Sequence, residues 1–155
     1  MEYIVNLRIK SERIPDVRYT IENMNKMILD ISTNYNVIDN QFLVERLHEM
    51  STSLASIIIE YSDLAWNIKY YITRILADDY IPDYMKTIFN CIDQNRIDEC
   101  IGGFRIASRM DIVPGDMSKE LEQRRNIIDS VRNSYDKLLQ ISEEVLSVIE
   151  RAISS

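Results

Sequence analysis

The most regular pattern in this sequence is a run of apolar residues between positions 43 and 75 that recurs alternately every four and every three residues. Ten positions keep this spacing without a break: Leu43, Leu47, Met50, Leu54, Ile57, Tyr61, Leu64, Ile68, Tyr71 and Ile75. Since an α-helix repeats every 3.6 residues, a sustained repeat of 3.5 forms a narrow apolar stripe that supercoiled partner helices can follow. The spacing predicts one long helix over 40–77, with a length of about 55 Å at 1.5 Å per residue.

A second run with the same spacing predicts another long helix over 116–153, in which Arg124 and Ser142 are the two polar interruptions. Because the two long helices match in length and repeat, we expect them to form an antiparallel hairpin. Shorter periodic segments predict a helix over 15–34 as a third member and a pair over 82–93 and 96–110 as a cap. The fold class expected is therefore all-α, a hairpin of long helices or a three-helix bundle.

Two local features of the chain leave a structural choice open. Residues 1–10 alternate, with Tyr3, Val5, Leu7 and Ile9 on one side and polar residues on the other, which predicts a β-strand with Ile4 as the exception. A single strand needs a partner for its backbone groups, either at 35–38 or 110–113 or on another subunit. The adjacent Gly102 and Gly103 indicate either a close approach of the backbone to a neighbour or a break in the helix.

Composition and charge restrict the functional classes. A chain of 155 residues fits one domain, and 25 acidic against 18 basic residues give a net charge of -7. This charge makes nucleic-acid binding an unfavoured function. No apolar run approaches the roughly 20 residues of a membrane span, and the start of the chain lacks the basic region of a signal peptide. With only two cysteines, Cys91 and Cys100, we expect a cytoplasmic protein without a disulfide framework or a zinc site.

Residues that could carry chemistry are few. His48 is the only histidine, and its Glu-x-x-His step with Glu45 occurs once, whereas di-iron bundles need two such steps. A catalytic triad would have to use His48 as its base, and no glycine-rich turn presents a nucleophile. Three glycines also leave no phosphate-binding loop. We therefore predict no catalytic residue, no cofactor and no metal site.

Two alternative functions depend on charged residues. Carboxylates could hold Mg²⁺ in a small helical hydrolase of phosphorylated substrates, although capping and solvation explain most of them. The candidate acids are Asp78, Asp79, Asp83, Asp98, Glu99, Glu143 and Glu144. An accessory subunit of nucleic-acid machinery could instead use a basic corner formed by Arg105, Arg109, Arg124 and Arg125.

The preferred function is a non-enzymatic interaction or assembly subunit whose protein partner is first of all a second copy of the chain. Aromatic residues with a polar tip suit interfaces, and they suit the ends of a bundle equally well. Arg124 lies on the apolar stripe of its helix, where a polar residue fixes register or partner choice, or extends to water. The predicted interface residues are Tyr3, Val5, Leu7, Ile9, Trp66, Tyr70, Tyr80, Tyr84 and Arg124.

Overall fold

Helices account for nearly all of the chain that the structure, a computed structural model, describes: residues 2–34, 40–108 and 117–154. In chain order they are α1 (Glu2–Glu12), a 3₁₀ turn (Ile14–Val17), α2 (Arg18–Asn34), α3 (Asn40–Ala77), α4 (Asp83–Phe89), α5 (Gln94–Ser108) and α6 (Met117–Ser154). Within these three ranges there is no β-strand. The predicted all-α fold class is confirmed.

The bounds of the helices follow the apolar spacing closely. α3 covers the range 40–77 expected from its heptads, and the range predicted as 15–34 divides where the 3₁₀ turn around Pro15 precedes α2. The helix predicted over 82–93 is shorter in the structure, where α4 covers Asp83–Phe89. The next helix, α5, begins at Gln94, two residues before the predicted start. Residues 109, 110 and 116, at the ends of two predicted helices, lie outside the described residues.

The N-terminal segment is a helix, so the strand predicted over 1–10 is wrong. The buried residues of α1 are Ile4, Leu7 and Ser11, a spacing of three and four that the buried Ile14 continues. This is the helical period. Ile4, which the alternating pattern leaves as an exception, is 2% exposed and is part of the core.

This correction removes the requirement for a partner strand. Val5 and Ile9, expected on the same side as Leu7, are 53% and 50% exposed on the outer side of α1. A helix satisfies its interior backbone groups by its own hydrogen bonds, so nothing in α1 calls for a second strand. The two segments expected as pairing partners, 35–38 and 110–113, lie outside the described residues.

The two long helices run parallel, which corrects the predicted antiparallel hairpin. Near the start of both helices, Arg124 Nε of α6 donates to Ser51 Oγ of α3 at 3.2 Å. Farther along both, the rings of Tyr61 and Tyr135 meet edge to face with centroids 5.0 Å apart. The sequence positions of these contacts increase together along α3 and α6, so the two helices are parallel. The direct contact between α3 and α6 is narrow.

α5 runs antiparallel to both long helices and packs extensively against each, so it is a member of the bundle and does not form a cap. Towards α3, Asp98 pairs with Lys69 and Phe104 stacks on Tyr61. Towards α6, Arg96 bonds Glu144, and Gly103 lies against Ser134. The helix is continuous through Gly102 and Gly103, so of the two possibilities left open the close approach of the backbone is correct at Gly103.

On the other side of the long pair, α1 and α2 together form one interrupted antiparallel element. Tyr3 contacts Tyr71 near the end of α3, and Arg13 lies 3.7 Å from Glu60 earlier in that helix. α2 continues along α6, where Glu22 pairs with Arg132 at 2.9 Å. The result is a bundle of four elements in up-down-up-down order, with α3 and α6 as the parallel diagonal.

The core of the bundle is the stripe that the sequence predicts. Nine of its ten positions on α3 are buried, and Tyr71 is half-buried. Tyr135 Oη donates to the Ile14 carbonyl at 2.9 Å, whereas the buried Tyr61 hydroxyl finds no hydrogen-bond partner among the described residues. Burial raises the pKa of both phenols above the ordinary value for tyrosine.

No helix in the described ranges is both long and apolar enough to cross a membrane.

Replacing each glycine of the pair by alanine should have different effects on stability. A Cβ at Gly102 meets open space, so Gly102→Ala should raise the free energy of unfolding by about 1 kcal/mol through helix propensity. A Cβ at Gly103 would collide with the Ser134 hydroxyl and lie 3.3 Å from Ser134 Cβ, so Gly103→Ala should gain less or lose stability. Urea unfolding of both variants measures the difference, and equal gains would contradict the close approach. Adding Ser134→Ala to Gly103→Ala should recover part of the gain.

Removing each of the two buried tyrosine hydroxyls should also have a different effect on stability. Tyr135→Phe leaves the Ile14 carbonyl without its donor, a loss of about 1–3 kcal/mol for an unsatisfied buried group. Tyr61→Phe removes a hydroxyl that has no partner among the described residues, so stability should stay level or rise. Chemical denaturation of the two variants is the measurement. A larger loss for Tyr61→Phe would show that its hydroxyl is bonded.

Candidate interaction surface

The outer side of α3 carries large apolar side chains that stay partly exposed in the bundle. Ile59, Trp66 and Tyr70 are 64%, 46% and 47% exposed, and their spacing of seven and four places them on one face of the helix. Asp63 lies on the same face between them. We call Ile59, Asp63, Trp66 and Tyr70 the Trp66 face.

The Trp66 face is what remains of a wider apolar surface after the bundle has formed. The sequence shows apolar residues beyond the heptad stripe in the second half of α3, and the flanking elements α1 and α5 bury Ile58, Ala65 and Ile72 among them. A shallow groove of about 190 Å³ runs along the edge of the face towards α5, where Ile59 and Asp63 line it together with Phe104 and Arg105.

Cations hold the aromatic rings of this face in position. Lys69 Nζ and Arg105 Cζ lie 5.9 and 5.5 Å from the centroid of the Trp66 ring. Arg74 lies 5.3 Å from the Tyr70 ring and donates from Nε to the Tyr70 hydroxyl at 3.2 Å. Such contacts are each worth about 0.5–1 kcal/mol at exposed sites. They restrict the rotamers of side chains that are still partly open to solvent.

Of the predicted interface residues in α1, only the outward pair is on the surface. Leu7 is fully buried, and Tyr3 is half-buried against Tyr71 with ring centroids 6.3 Å apart. Val5 and Ile9 are exposed. Because Tyr71 in turn meets Tyr70 edge to face at 5.3 Å, a chain of tyrosine rings connects α1 with the Trp66 face.

Tyr80 and Tyr84 lie at the corner between α3 and α4, where they are 95% and 52% exposed. Asp78 Oδ1 accepts the Tyr80 backbone N–H at 2.9 Å, and the Asp78 carbonyl accepts that of Ile81 at 3.2 Å. The buried Ile81 fixes this turn to the bundle. Asp78 therefore shapes the turn from which Tyr80 projects.

Arg124 is inside the molecule, so it does not belong to an exposed interface. It is 8% exposed, forms an ion pair with the buried Glu120 one turn earlier, and donates to Ser51 across the bundle. The second oxygen of Glu120, Oε1, has no partner among the described residues. The register role suggested by its place on the stripe is compatible with these contacts, whereas an extended side chain in water is not.

Three of the seven acids weighed for a magnesium site form ion pairs with cations. Asp98 bonds Lys69 at 2.5 Å, Glu99 lies 3.8 Å from Lys137, and Glu144 bonds Arg96 at 2.7 Å. Within the described ranges, no three residues among His, Cys, Asp and Glu come together as a group that could hold a metal ion. His48 and Glu45 lie exposed on α3.

The basic corner weighed for nucleic-acid contact is divided by the fold. Arg124 is buried, Arg125 is exposed on α6, and Arg105 lies over the Trp66 ring. Arg109 lies outside the described residues. The described arginines of this group therefore do not form one exposed patch.

The sequence pointed to Trp66 and Tyr70 but missed four residues that form or adjoin this surface. Ile59 and Asp63 could have been found from their spacing, since both lie on the same helical face as Trp66. Lys69 also follows Trp66 by three residues. Arg105 could not have been found in this way, because only the antiparallel packing of α5 on α3 brings it to the indole.

The two cysteines should differ in reactivity. Both are free thiols; Cys91 is exposed, while burial raises the pKa of Cys100 to about 11. At pH 8 iodoacetamide should therefore modify only Cys91 in the folded protein, since the thiolate is the nucleophile. Intact-mass measurement should show one adduct on the folded wild type and none on folded Cys91→Ser. The wild type unfolded in urea should carry two. Rapid labelling of folded Cys91→Ser would show that Cys100 is accessible.

Searches of protein-family models, curated proteins and solved structures found nothing that matches this chain.

Proposed function

We propose that the chain is a non-enzymatic assembly subunit that associates with a second copy of itself through the Trp66 face. The observation that carries this proposal is Trp66, a large apolar side chain that is 46% exposed although cations from two helices hold its ring. Tryptophan, tyrosine and arginine are the residues most enriched among those that dominate binding energy at interfaces.

Order in the free protein supports binding through this face. An interface side chain that must be immobilised on association costs roughly 0.5–1.5 kcal/mol, and that cost falls when the side chain is already fixed. The contacts of Lys69 and Arg105 with Trp66, and of Arg74 with Tyr70, provide such fixation. Ile59 adds apolar area on the same face.

Charge favours the Trp66 face over the corner that carries Tyr80 and Tyr84, the other exposed aromatic surface. Two copies that each carry a net charge of -7 repel one another, and a two-fold interface brings the same patch of both copies together, so contact is easiest where that patch carries charges of both signs. The Trp66 face includes Asp63, and Lys69 and Arg105 lie at its indole ring. At the Tyr80 corner the neighbouring charges are Asp78, Asp79 and Asp83, which would repel a second copy.

The cytoplasm is the compartment that we propose for this subunit. Cys91 and Cys100 are both unpaired, and Cys91 is exposed. A reducing compartment keeps exposed thiols of this kind from forming disulfides.

Sedimentation velocity over a range of concentrations tests the proposal. The wild-type protein should pass from an 18.2 kDa monomer to a dimer as its concentration rises. Trp66→Ala should weaken the dimer about thirtyfold, which corresponds to roughly 2 kcal/mol for a dominant interface residue. Tyr19→Ala, at an aromatic residue that is 76% exposed on α2, is the matched control and should leave the dimer unchanged.

Melting temperatures of the two variants are measured in parallel to establish that both are folded. A wild-type chain that stays monomeric at several hundred micromolar would contradict the proposal. So would a Trp66→Ala variant that dimerises as tightly as the wild type.

A further inference from the structure

Opposite charges are placed symmetrically about Trp66 on α3. Asp63 precedes it by three residues and Lys69 follows it by three, so the two side chains lie nearly one turn before and one turn after the indole. We propose, building on the function proposed above, that the second copy binds with its α3 antiparallel to α3 and with a two-fold axis at Trp66. Asp63 of each copy then faces Lys69 of the other.

The pairing follows from the geometry of a two-fold axis. In antiparallel helices related by such an axis, each residue lies at the level of the residue equally far on the other side of the axis. Trp66 therefore packs on the second Trp66, and Ile59 faces Thr73 of the second copy. Asp63 comes to the level of Lys69, whose long stem reaches across the pair.

Two other arrangements of the same faces are electrostatically worse. Parallel packing about a two-fold axis along the helices would place Asp63 on Asp63 and Lys69 on Lys69, and like charges in contact repel. Moving the antiparallel axis to a point between Asp63 and Trp66 would bury each carboxylate against an indole. A buried charge without a partner is strongly unfavourable.

The existing contacts of Lys69 allow this second partner. Lys69 Nζ lies 2.5 Å from Asp98 Oδ1 within its own chain. An ammonium group has three donors, so it can bond a carboxylate of the second copy as well. The side chain of Lys69 is 31% exposed and that of Asp98 is 47% exposed, so both remain accessible from outside.

The expected dimer is weak and reversible. The segment from Ile59 to Thr73 is about 21 Å long at 1.5 Å per residue, which is one helix face against another. Contacts of this size belong to the low end of interfaces, below about 1,200 Å² in total, where association is transient. A dimer that dissociates on dilution is therefore the expected behaviour.

Disulfide cross-linking between two variants tests the antiparallel register. Ile59→Cys and Thr73→Cys are prepared separately in a Cys91→Ser background, mixed at a concentration where the wild type is dimeric, and oxidised. The axis at Trp66 places position 59 opposite position 73, so the mixed disulfide should dominate. Two copies of position 59 would be about 21 Å apart along the helix, far beyond the reach of a disulfide, about 7 Å between Cα atoms.

Intact mass distinguishes the possible products, because the two variants differ in mass. Mainly mixed cross-links support the register. Mainly links between identical positions, in a protein that still dimerises, would overturn it while leaving self-association through the Trp66 face intact. A protein that stays monomeric in sedimentation would refute both proposals.

A charge exchange provides a second readout that introduces no cysteine. Asp63→Lys alone should weaken the dimer at least fivefold, since it places two lysines together. Asp63→Lys combined with Lys69→Asp should recover most of that loss. The melting temperature is followed in each variant because Lys69→Asp also places a carboxylate beside Asp98. Additive losses in the double variant would contradict the pairing of Asp63 with Lys69.

Discussion

Burial of the α3 stripe is the constraint on which the rest of the bundle depends. α3 contacts α1, α5 and α6, and the aromatic contacts of Tyr61 with Phe104 and Tyr135 join three of these helices at the centre. A helix of 38 residues with apolar side chains beyond its heptad stripe cannot be covered by one partner. Several neighbours are needed, and α5 and the α1–α2 element therefore lie along the long helices.

Polar groups inside the bundle fix how the elements are aligned. Arg124, paired with Glu120, reaches Ser51 across the parallel long helices, and the Tyr135 hydroxyl bonds the 3₁₀ turn between α1 and α2. Both contacts need a definite register, because a shift of either helix would leave a buried polar group without its partner. On the outer side of α3, Ile59, Trp66 and Tyr70 stay partly exposed.

The fold was predictable from sequence where one period dominates and unpredictable where two periods compete. The ten heptad positions of α3 admit only a helix, and its bounds were correct. In α1 the residues Tyr3 and Leu7 fit both an alternating and a helical pattern, and only the burial of Ile4 and Ser11 decides between them. Of the residues predicted for an interface, Trp66 and Tyr70 are exposed, whereas Leu7 and Arg124 are buried. Leu7 was selected because the N-terminal segment was interpreted as a strand, and Arg124 lies on the apolar stripe of α6, which faces the core.

The sequence by itself determined that α3 and α6 form, where these two long helices run, and which stripe of α3 is buried, because these properties follow from spacing along a single helix. Only the tertiary structure decided that α3 and α6 are parallel, that α5 lies between them, and that Arg105 of α5 meets Trp66 of α3. The relative direction of the helices, and which helices are neighbours, depend on how the side chains of one helix pack into the grooves of another. This is a property of several segments together, so the spacing within one segment does not determine it.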